Sequence, residues 1–345
     1  MIRVGIVGAT GYTGAELVRL LSVHPEIELK ALTSRQYEGV RFDTVYPALA
    51  GVTDLSCEAF SADDVCDKTD FVFMALPHSL PMLYIPELIS RGKKVVDLSA
   101  DFRFNDPAIY ESVYQPHSAK DLMKVAVYGL SEVYSASITS ATLVGNPGCY
   151  PTSILLPLIP LLRNNLIDPN SIIADSKSGV SGAGRSLSLT THFCEVNESF
   201  KAYKITTHRH TPEIEEVLSE HAGKPISISF VPHLLPMTRG MLSTIYVNLN
   251  KNVNGKNVGE CLISFFANHP FVRIRPEDQP PDTLYVRGTN YCDIGLKMDE
   301  RNNRMIIVST IDNLIKGASG QAVQNMNIML GLDETTGLTN PPFPI

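Results

Sequence analysis

Residues 2–14, Ile2-Arg3-Val4-Gly5-Ile6-Val7-Gly8-Ala9-Thr10-Gly11-Tyr12-Thr13-Gly14, constrain the fold more than any other stretch. A β-branched run ends in glycines spaced G-x-x-G-x-x-G, and an amphipathic segment with Leu17, Leu20 and Leu21 on one face follows at once. Strand, tight turn and helix in that order open a β-α-β unit, and the exposed N–H groups of such a helix start favour an anion. The spacing differs from the usual G-x-G-x-x-G, so the weight of the reading lies in the turn's position between strand and helix.

The rhythm continues. Strands are expected at Leu29–Thr33, Phe71–Ala75 and Lys94–Leu98, then near Val125–Tyr128 and Thr142–Gly145, with helices at Tyr12–Val23 and Pro81–Arg91. Alternation of this kind predicts a parallel sheet. After about residue 150 the pattern changes to longer alternating strands, Met241–Asn248, Asn290–Met298 and Arg304–Ile311, with helices near Thr211–Ala222 and Gly255–Ala267. A mixed or antiparallel sheet in a second, α+β domain fits them. The division falls at 1–148 and 149–315, with a last helix over about 316–345 returning to the first domain. Arg275–Asp282, with three prolines, reads as a loop.

Composition excludes several classes of function. Lys plus Arg is 29 against 36 for Asp plus Glu, a net charge of −7, which argues against nucleic acid or an anionic membrane as the main partner. No apolar run reaches the roughly 18–20 residues of a membrane span, and the N-terminus reads as a strand instead of a signal peptide. The six cysteines form no C-x-x-C pair, so free thiols and a cytoplasmic location are expected, with no metal.

The end of the second strand reads Leu32-Thr33-Ser34-Arg35-Gln36. A carboxylate there would bind the ribose hydroxyls of NAD. Arg35 beside Ser34 suits a 2′-phosphate, so NADP is expected, held by Gly8, Thr10, Gly11, Tyr12, Thr13, Gly14, Ser34 and Arg35. Pro77 and His78, at another strand end on the same side, are further contact candidates.

Gly145-Asn146-Pro147-Gly148-Cys149-Tyr150-Pro151-Thr152-Ser153 is the sharpest chemical feature. Asn-Pro-Gly marks a turn, and Ile154-Leu155-Leu156 starts a buried helix that Pro157 and Pro160 are expected to kink or end. Cys149 would stand where helix N–H groups favour a thiolate. A thiolate near a nicotinamide can attack an activated carbonyl and form a thioester that accepts hydride. Cys57, Cys66, Cys194, Cys261 and Cys292 read as packing residues. Acid/base help is expected from His208-Arg209-His210-Thr211-Pro212-Glu213, with Thr211 as N-cap and Pro212 at the first helical position. His24, His117, His221 and His269 read as surface or loop residues. Asp97-Leu98-Ser99-Ala100-Asp101-Phe102-Arg103 closes a strand where ligands bind, with Arg103 as a phosphate ligand, and Ser176–Arg185 has the small residues of an anion-binding loop flanked by Lys177 and Arg185.

Taken in order, the stretches through Gly8, Gly11 and Gly14, Asp97–Arg103, Gly145–Ser153, Ser178–Arg185, His208–Glu213 and Asp312–Gln321 resemble the N-acetyl-γ-glutamyl-phosphate reductases, and more distantly the aspartate-semialdehyde dehydrogenases. The resemblance implies a Rossmann-type dinucleotide-binding domain plus an α+β catalytic and dimerisation domain, and a homo-oligomer, dimer or tetramer. It implies NADPH-dependent reduction of an acyl phosphate in arginine biosynthesis, with Cys149 as nucleophile and His208 or His210 as acid/base, His208 slightly preferred. Ser181, Gly182, Gly184 and Asn313 match positions around the nicotinamide and its phosphates. Arg103, Asn146, Lys177, Arg185 and Glu213 are the candidate substrate ligands. The same chemistry on aspartyl phosphate or an aminoadipate derivative is the nearest alternative, and a non-catalytic NADP sensor the one from another class.

Overall fold

Short apolar strands separated by helices pair in parallel, and the first sheet is built wholly that way. Strands β1 (Ile2–Val7), β2 (Ile27–Thr33), β3 (Cys57–Glu58), β4 (Phe71–Met74), β5 (Lys94–Asp97), β6 (Val127–Tyr128) and β7 (Leu143–Gly145) lie in the order β3-β2-β1-β4-β5-β7-β6. Every adjacent pair is parallel. Phe71, Val72, Phe73 and Met74 of β4 are all buried, as a strand covered on both faces requires. From β1 the chain builds outward to β3, then restarts on the other side at β4. The sheet therefore has its topological switch point between β1 and β4, where ligands bind beyond the carboxyl ends of such strands.

This computed structural model describes Met1–Pro342, in two compact units. One is Met1–Pro147 with Ala318–Asn340; the other is Gly148–Gly317 with Pro341 and Pro342. The second unit carries β8 (Ile173–Gly179), β9 (Lys201–Ala202), β10 (Ser229–Leu235), β11 (Met241–Asn248), β12 (Val272–Ile274), β13 (Cys292–Asp299) and β14 (Arg304–Ile311). Their order is β12-β13-β14-β11-β8-β10-β9. Two pairs, β8/β10 and β12/β13, are parallel and the others antiparallel, so the sheet is mixed. Alternation in β11 buries Met241, Ser243, Ile245 and Val247 and leaves the intervening residues half-buried.

Two expectations need correction. Pro157 and Pro160 do not end their helix, which runs from Cys149 to Arg163 with every residue but the two ends buried. Burial of Ile154, Leu155, Leu158, Ile159 and Leu161 at 0% exposure outweighs the two ladder bonds that proline cannot donate. The terminal helix is shorter than expected. It spans Gly320–Leu330 after a π-helical turn at Ile315–Ser319, and Gly331 (φ 71°) ends it in a left-handed cap. Residues 343–345 of the expected helix lie outside the described residues.

Candidate active site

In the first unit the three glycines of the turn do different work. Gly8 has φ +90°, and a Cβ there would stand 2.4 Å from the carbonyl oxygen of Ala75, at the end of β4. A Cβ on Gly14 would meet the Gly8 carbonyl oxygen at 2.3 Å. Both positions exclude any side chain, because turn, helix and β4 close on each other there. Gly11 differs: the nearest atom to its Cβ direction is the Gly8 carbonyl oxygen at 3.7 Å, so this backbone lies open at the helix start. The turn thus fits a pyrophosphate laid against Gly11 and the N-terminus of the helix Tyr12–Leu21. Thr10 Oγ1 and Ser34 Oγ lie 2.7 Å apart, and the Tyr46 hydroxyl donates to the Thr10 carbonyl (2.9 Å), fixing the turn against the end of β2. Ser34 is buried, Arg35 exposed beside it, and Tyr12 and Pro77 are exposed.

At the end of β5, Asp97 and Asp101 are both fully buried. Burial, then the charge of Asp101, pushes the Asp97 carboxyl up to about 7, although it accepts from the Ser99 N–H (3.0 Å) and hydroxyl (2.7 Å). Arg103 is 7% exposed, and its Nε and Nη2 donate to the carbonyls of Asn146 (2.6 Å) and Leu98 (2.8 Å), so its guanidinium is rigidly oriented. Asn146, expected as a substrate ligand, is 1% exposed. Its Oδ1 accepts from Asn325 (3.0 Å) and its Nδ2 donates to the Ala318 carbonyl (3.1 Å), as a buried amide must find partners at both ends. His24 and His117 are not surface residues: both are 4% exposed. Each has a distant partner that the sequence does not reveal, Asn327 Oδ1 for His24 (3.0 Å) and the Asp101 carbonyl for His117 (2.8 Å).

In the second unit, Cys149 is the first residue of its helix, after Gly148 in extended conformation, and it is half-buried. N–H groups of a first helical turn have no partner within the helix, so the thiol sits at the positive end of a fifteen-residue dipole. Glu213, expected to bind substrate, is 1% exposed, and its Oε1 accepts the Gly148 N–H (3.0 Å), which ties the cysteine turn to the helix His210–Ala222. That helix begins at His210, with Arg209 at the N-cap position two residues before the expected Thr211, because Arg209 already has helical dihedrals (φ −61°, ψ −19°).

Aromatic rings gather around Tyr150, the residue after the thiol. The Tyr150 ring meets His208 at 5.4 Å, His210 at 5.9 Å and Phe230 at 5.2 Å, and the two imidazoles lie 4.9 Å apart. The Tyr203 hydroxyl lies 3.2 Å from that of Tyr150 and 3.4 Å from His208 Nε2. Burial pushes the Tyr203 phenol up to about 12 and Tyr150 higher still, and the charge of Cys149 adds to both shifts. His208 Nδ1 accepts the His210 N–H (3.1 Å), so the neutral ring carries its proton on Nε2. A second proton on His208 would have to displace that bond in a buried site. Burial first, then Lys204 and Arg209, lowers it to about 4.

Sequence reasoning missed Tyr150, Tyr203 and Gly317. A Cβ on Gly317 would lie 2.7 Å from Cys149 Cβ, so only glycine leaves Cys149 in place. Gly317→Ala is expected to lower kcat/KM by about 10²-fold, the size of an ångström-scale misplacement of a reacting group. Steady-state rates check this, and an unchanged kcat/KM would show that the thiol tolerates displacement.

The remaining candidates lie along β8 and the loop after it. Lys177 pairs with Asp175 (3.0 Å), while Gly182, Gly184 and Arg185 are exposed, Gly184 with φ +81°. Ser181 Oγ accepts from Asn313 Nδ2 (2.9 Å), and Asn313 Oδ1 accepts the Gly240 N–H (2.8 Å), so this pair braces the loop. Among the described residues no group of His, Cys, Asp or Glu could hold a metal, and no helix is long and apolar enough to cross a membrane.

Comparison with known proteins agrees with this division. Residues 3–141 match the family model of the semialdehyde dehydrogenase NAD-binding domain, and residues 149–313 that of the semialdehyde dehydrogenase dimerisation domain. The chain is 56% identical over 338 residues to the N-acetyl-gamma-glutamyl-phosphate reductase of Desulforapulum autotrophicum, covering 98% of each. It is 54% identical over 343 residues to that of Syntrophobacter fumaroxidans, covering 99% of each. Among solved structures it resembles aspartate semialdehyde dehydrogenase II of Vibrio cholerae (TM-score 0.73, 16% identity, 96% of this chain and 98% of that one). It also resembles the Candida albicans aspartate semialdehyde dehydrogenase solved with NADP (TM-score 0.68, 17% identity, 96% and 98%). At those identities the structures establish the fold alone.

Proposed function

The chain belongs to the N-acetyl-gamma-glutamyl-phosphate reductase family, and on that footing we propose that it reduces N-acetyl-glutamyl 5-phosphate to the 5-semialdehyde, with release of phosphate, in arginine biosynthesis. One observation carries the residue assignment: Cys149 opens a buried helix whose next residue, Tyr150, packs its ring against two imidazoles. NADPH, when bound, supplies the hydride; the open backbone at Gly11 would hold its pyrophosphate, and Ser34 with Arg35 its 2′-phosphate.

Cys149 attacks the acyl carbon as thiolate. The carbon–sulfur bond forms, the carbon–oxygen bond to phosphate breaks, and the electron pair leaves with the phosphate. The first-turn N–H groups of the Cys149 helix stabilise negative charge on the carbonyl oxygen. After reduction of the thioester the carbon–sulfur bond breaks, the thiolate returns and the aldehyde leaves. His210 takes the proton from the thiol, lends it to the tetrahedral oxygen, and takes it back as that oxygen becomes the aldehyde carbonyl. We assign that role to His210 and reverse the slight preference for His208, because His208 Nδ1 is spent on a backbone N–H and its ring resists a second proton. His208 instead orients Tyr203 and packs the cluster.

A homo-oligomer, dimer or tetramer, and a cytoplasmic location belong to the same proposal. The exposed Leu187 (103%), Leu189 (76%) and Phe193 (74%), within the stretch matched to a dimerisation domain, support a second copy as partner.

The test runs the reaction backwards. With NADP and phosphate, N-acetyl-glutamate 5-semialdehyde is expected to be oxidised, and omission of phosphate to stop it. Equal or faster oxidation of aspartate semialdehyde would overturn the substrate.

A further inference from the structure

We infer that Asp101 is a positioning residue for the dinucleotide: its buried carboxylate holds the turn Pro77–Leu80 in the one shape that receives the cofactor. The inference rests on the reading that a dinucleotide binds at the β1/β4 edge of the first sheet.

The turn leaves β4 at that switch point, and its entry touches the glycine turn, since a Cβ on Gly8 would strike the Ala75 carbonyl. Inside the turn Ser79 has φ +74°, a left-handed conformation that a side chain disfavours. Elsewhere in this unit such positions are held by glycine, as at Gly92 (φ +73°) after the helix Pro81–Ser90. Ser79 is held by a carboxylate. Asp101 is 0% exposed; its Oδ1 and Oδ2 accept the Ser79 N–H at 2.9 and 3.0 Å, and Oδ2 also accepts the Met82 N–H at 3.1 Å.

The bond to Met82 gives the helix Pro81–Ser90 its N-terminal cap. Leu80, at the N-cap position, offers no side-chain acceptor, so a carboxylate nineteen residues away in sequence meets the orphan N–H. Asp101 is itself held in place. Its N–H donates to Ser99 Oγ (3.0 Å), and the Tyr110 hydroxyl donates to its Oδ1 (2.9 Å). One residue earlier, the Ala100 N–H donates to His78 Nδ1 (2.9 Å). Residues 100 and 101 therefore clasp residues 78 and 79 in succession. A turn fixed this firmly binds without an ordering cost, which raises affinity for the cofactor and leaves the chemistry at Cys149 alone.

Asp101→Asn replaces one acceptor oxygen by an N–H₂ that faces backbone donors, and Ser79→Pro removes the donor itself and forbids the positive φ, with the buried carboxylate untouched. NADPH binding to the purified protein is measured by fluorescence titration, alongside kcat at saturating NADPH and KM for the acyl phosphate. Both variants are expected to bind NADPH about tenfold more weakly or worse, with kcat and acyl-phosphate KM within about twofold of the wild type. Should Asp101→Asn fail to fold, Ser79→Pro decides alone, since Ser79 is only half-buried. Unchanged NADPH affinity in the variant that decides, or equal losses in binding and kcat, overturns the positioning role. Wild-type protein that does not bind NADPH would instead sink the reading of the first unit as a dinucleotide site.

Discussion

Replacing Cys149 by serine should abolish turnover while NADPH binding and thermal stability stay close to wild type. An alcohol at the same place lacks the acidity and nucleophilicity of a thiol, and the acyl-enzyme no longer forms. The expected fall in kcat is about 10⁴-fold or more, roughly 5 kcal/mol of barrier. Stability should hold because Cys149 is half-buried at a helix start, where serine is well tolerated. Steady-state kinetics with a parallel melting curve separate loss of the nucleophile from loss of the fold. A Cys149→Ser protein that keeps a tenth of the activity would remove the thiol from the mechanism.

The second large effect distinguishes the two imidazoles. His210→Asn is expected to cut kcat by about 10²–10³-fold, as loss of a general acid/base does, and to remove any limb of the pH–rate profile near neutrality. His208→Asn should cost about tenfold at most, the size of one hydrogen bond to Tyr203, and leave the shape of the profile unchanged. Linkage gives His208 a second signature. Its folded pKa, about 4, lies below the unfolded value near 6.5, so between those pH values the unfolded chain binds more protons than the folded one. Its contribution to stability is complete above pH 6.5 or so and is lost as pH falls through that window. His221, also lowered to about 4 by burial and then Arg163, adds to the same slope. Melting temperatures of wild type and His208→Asn should converge on acidification. An equal loss of kcat in both variants would mean that the pair acts as one unit.

How far these features were legible in the sequence follows from the range of the interactions behind them. The glycine turn could be read because strand, turn and helix are local, and Gly8 and Gly14 exclude side chains through contacts within or beside that turn. Cys149 stood out because Asn-Pro-Gly and the apolar run after it set a helix start within a few residues. The mixed second sheet was legible in β11 and β14, whose alternation is long and clean, whereas two-residue strands such as β3 and β9 have no period to detect. The supports of the site are of another kind. Tyr150 finds Tyr203 across 53 residues, Glu213 finds Gly148 across 65, and His24 finds Asn327 across 303. No pattern of periodicity or turn chemistry encodes such pairs. Burial also overrode a local rule where the helix from Cys149 passed two prolines.

These residues matter only if the substrate's acyl group rests for a time on one sulfur. The direct measurement mixes the wild-type protein with N-acetyl-glutamyl 5-phosphate in the absence of NADPH, quenches in acid, and weighs the intact chain and its peptides by mass spectrometry. One N-acetyl-glutamyl group per chain, on the peptide that contains Cys149, is the predicted result. An unmodified chain under conditions that support full turnover, or the same group on any of the other five cysteines, would contradict it.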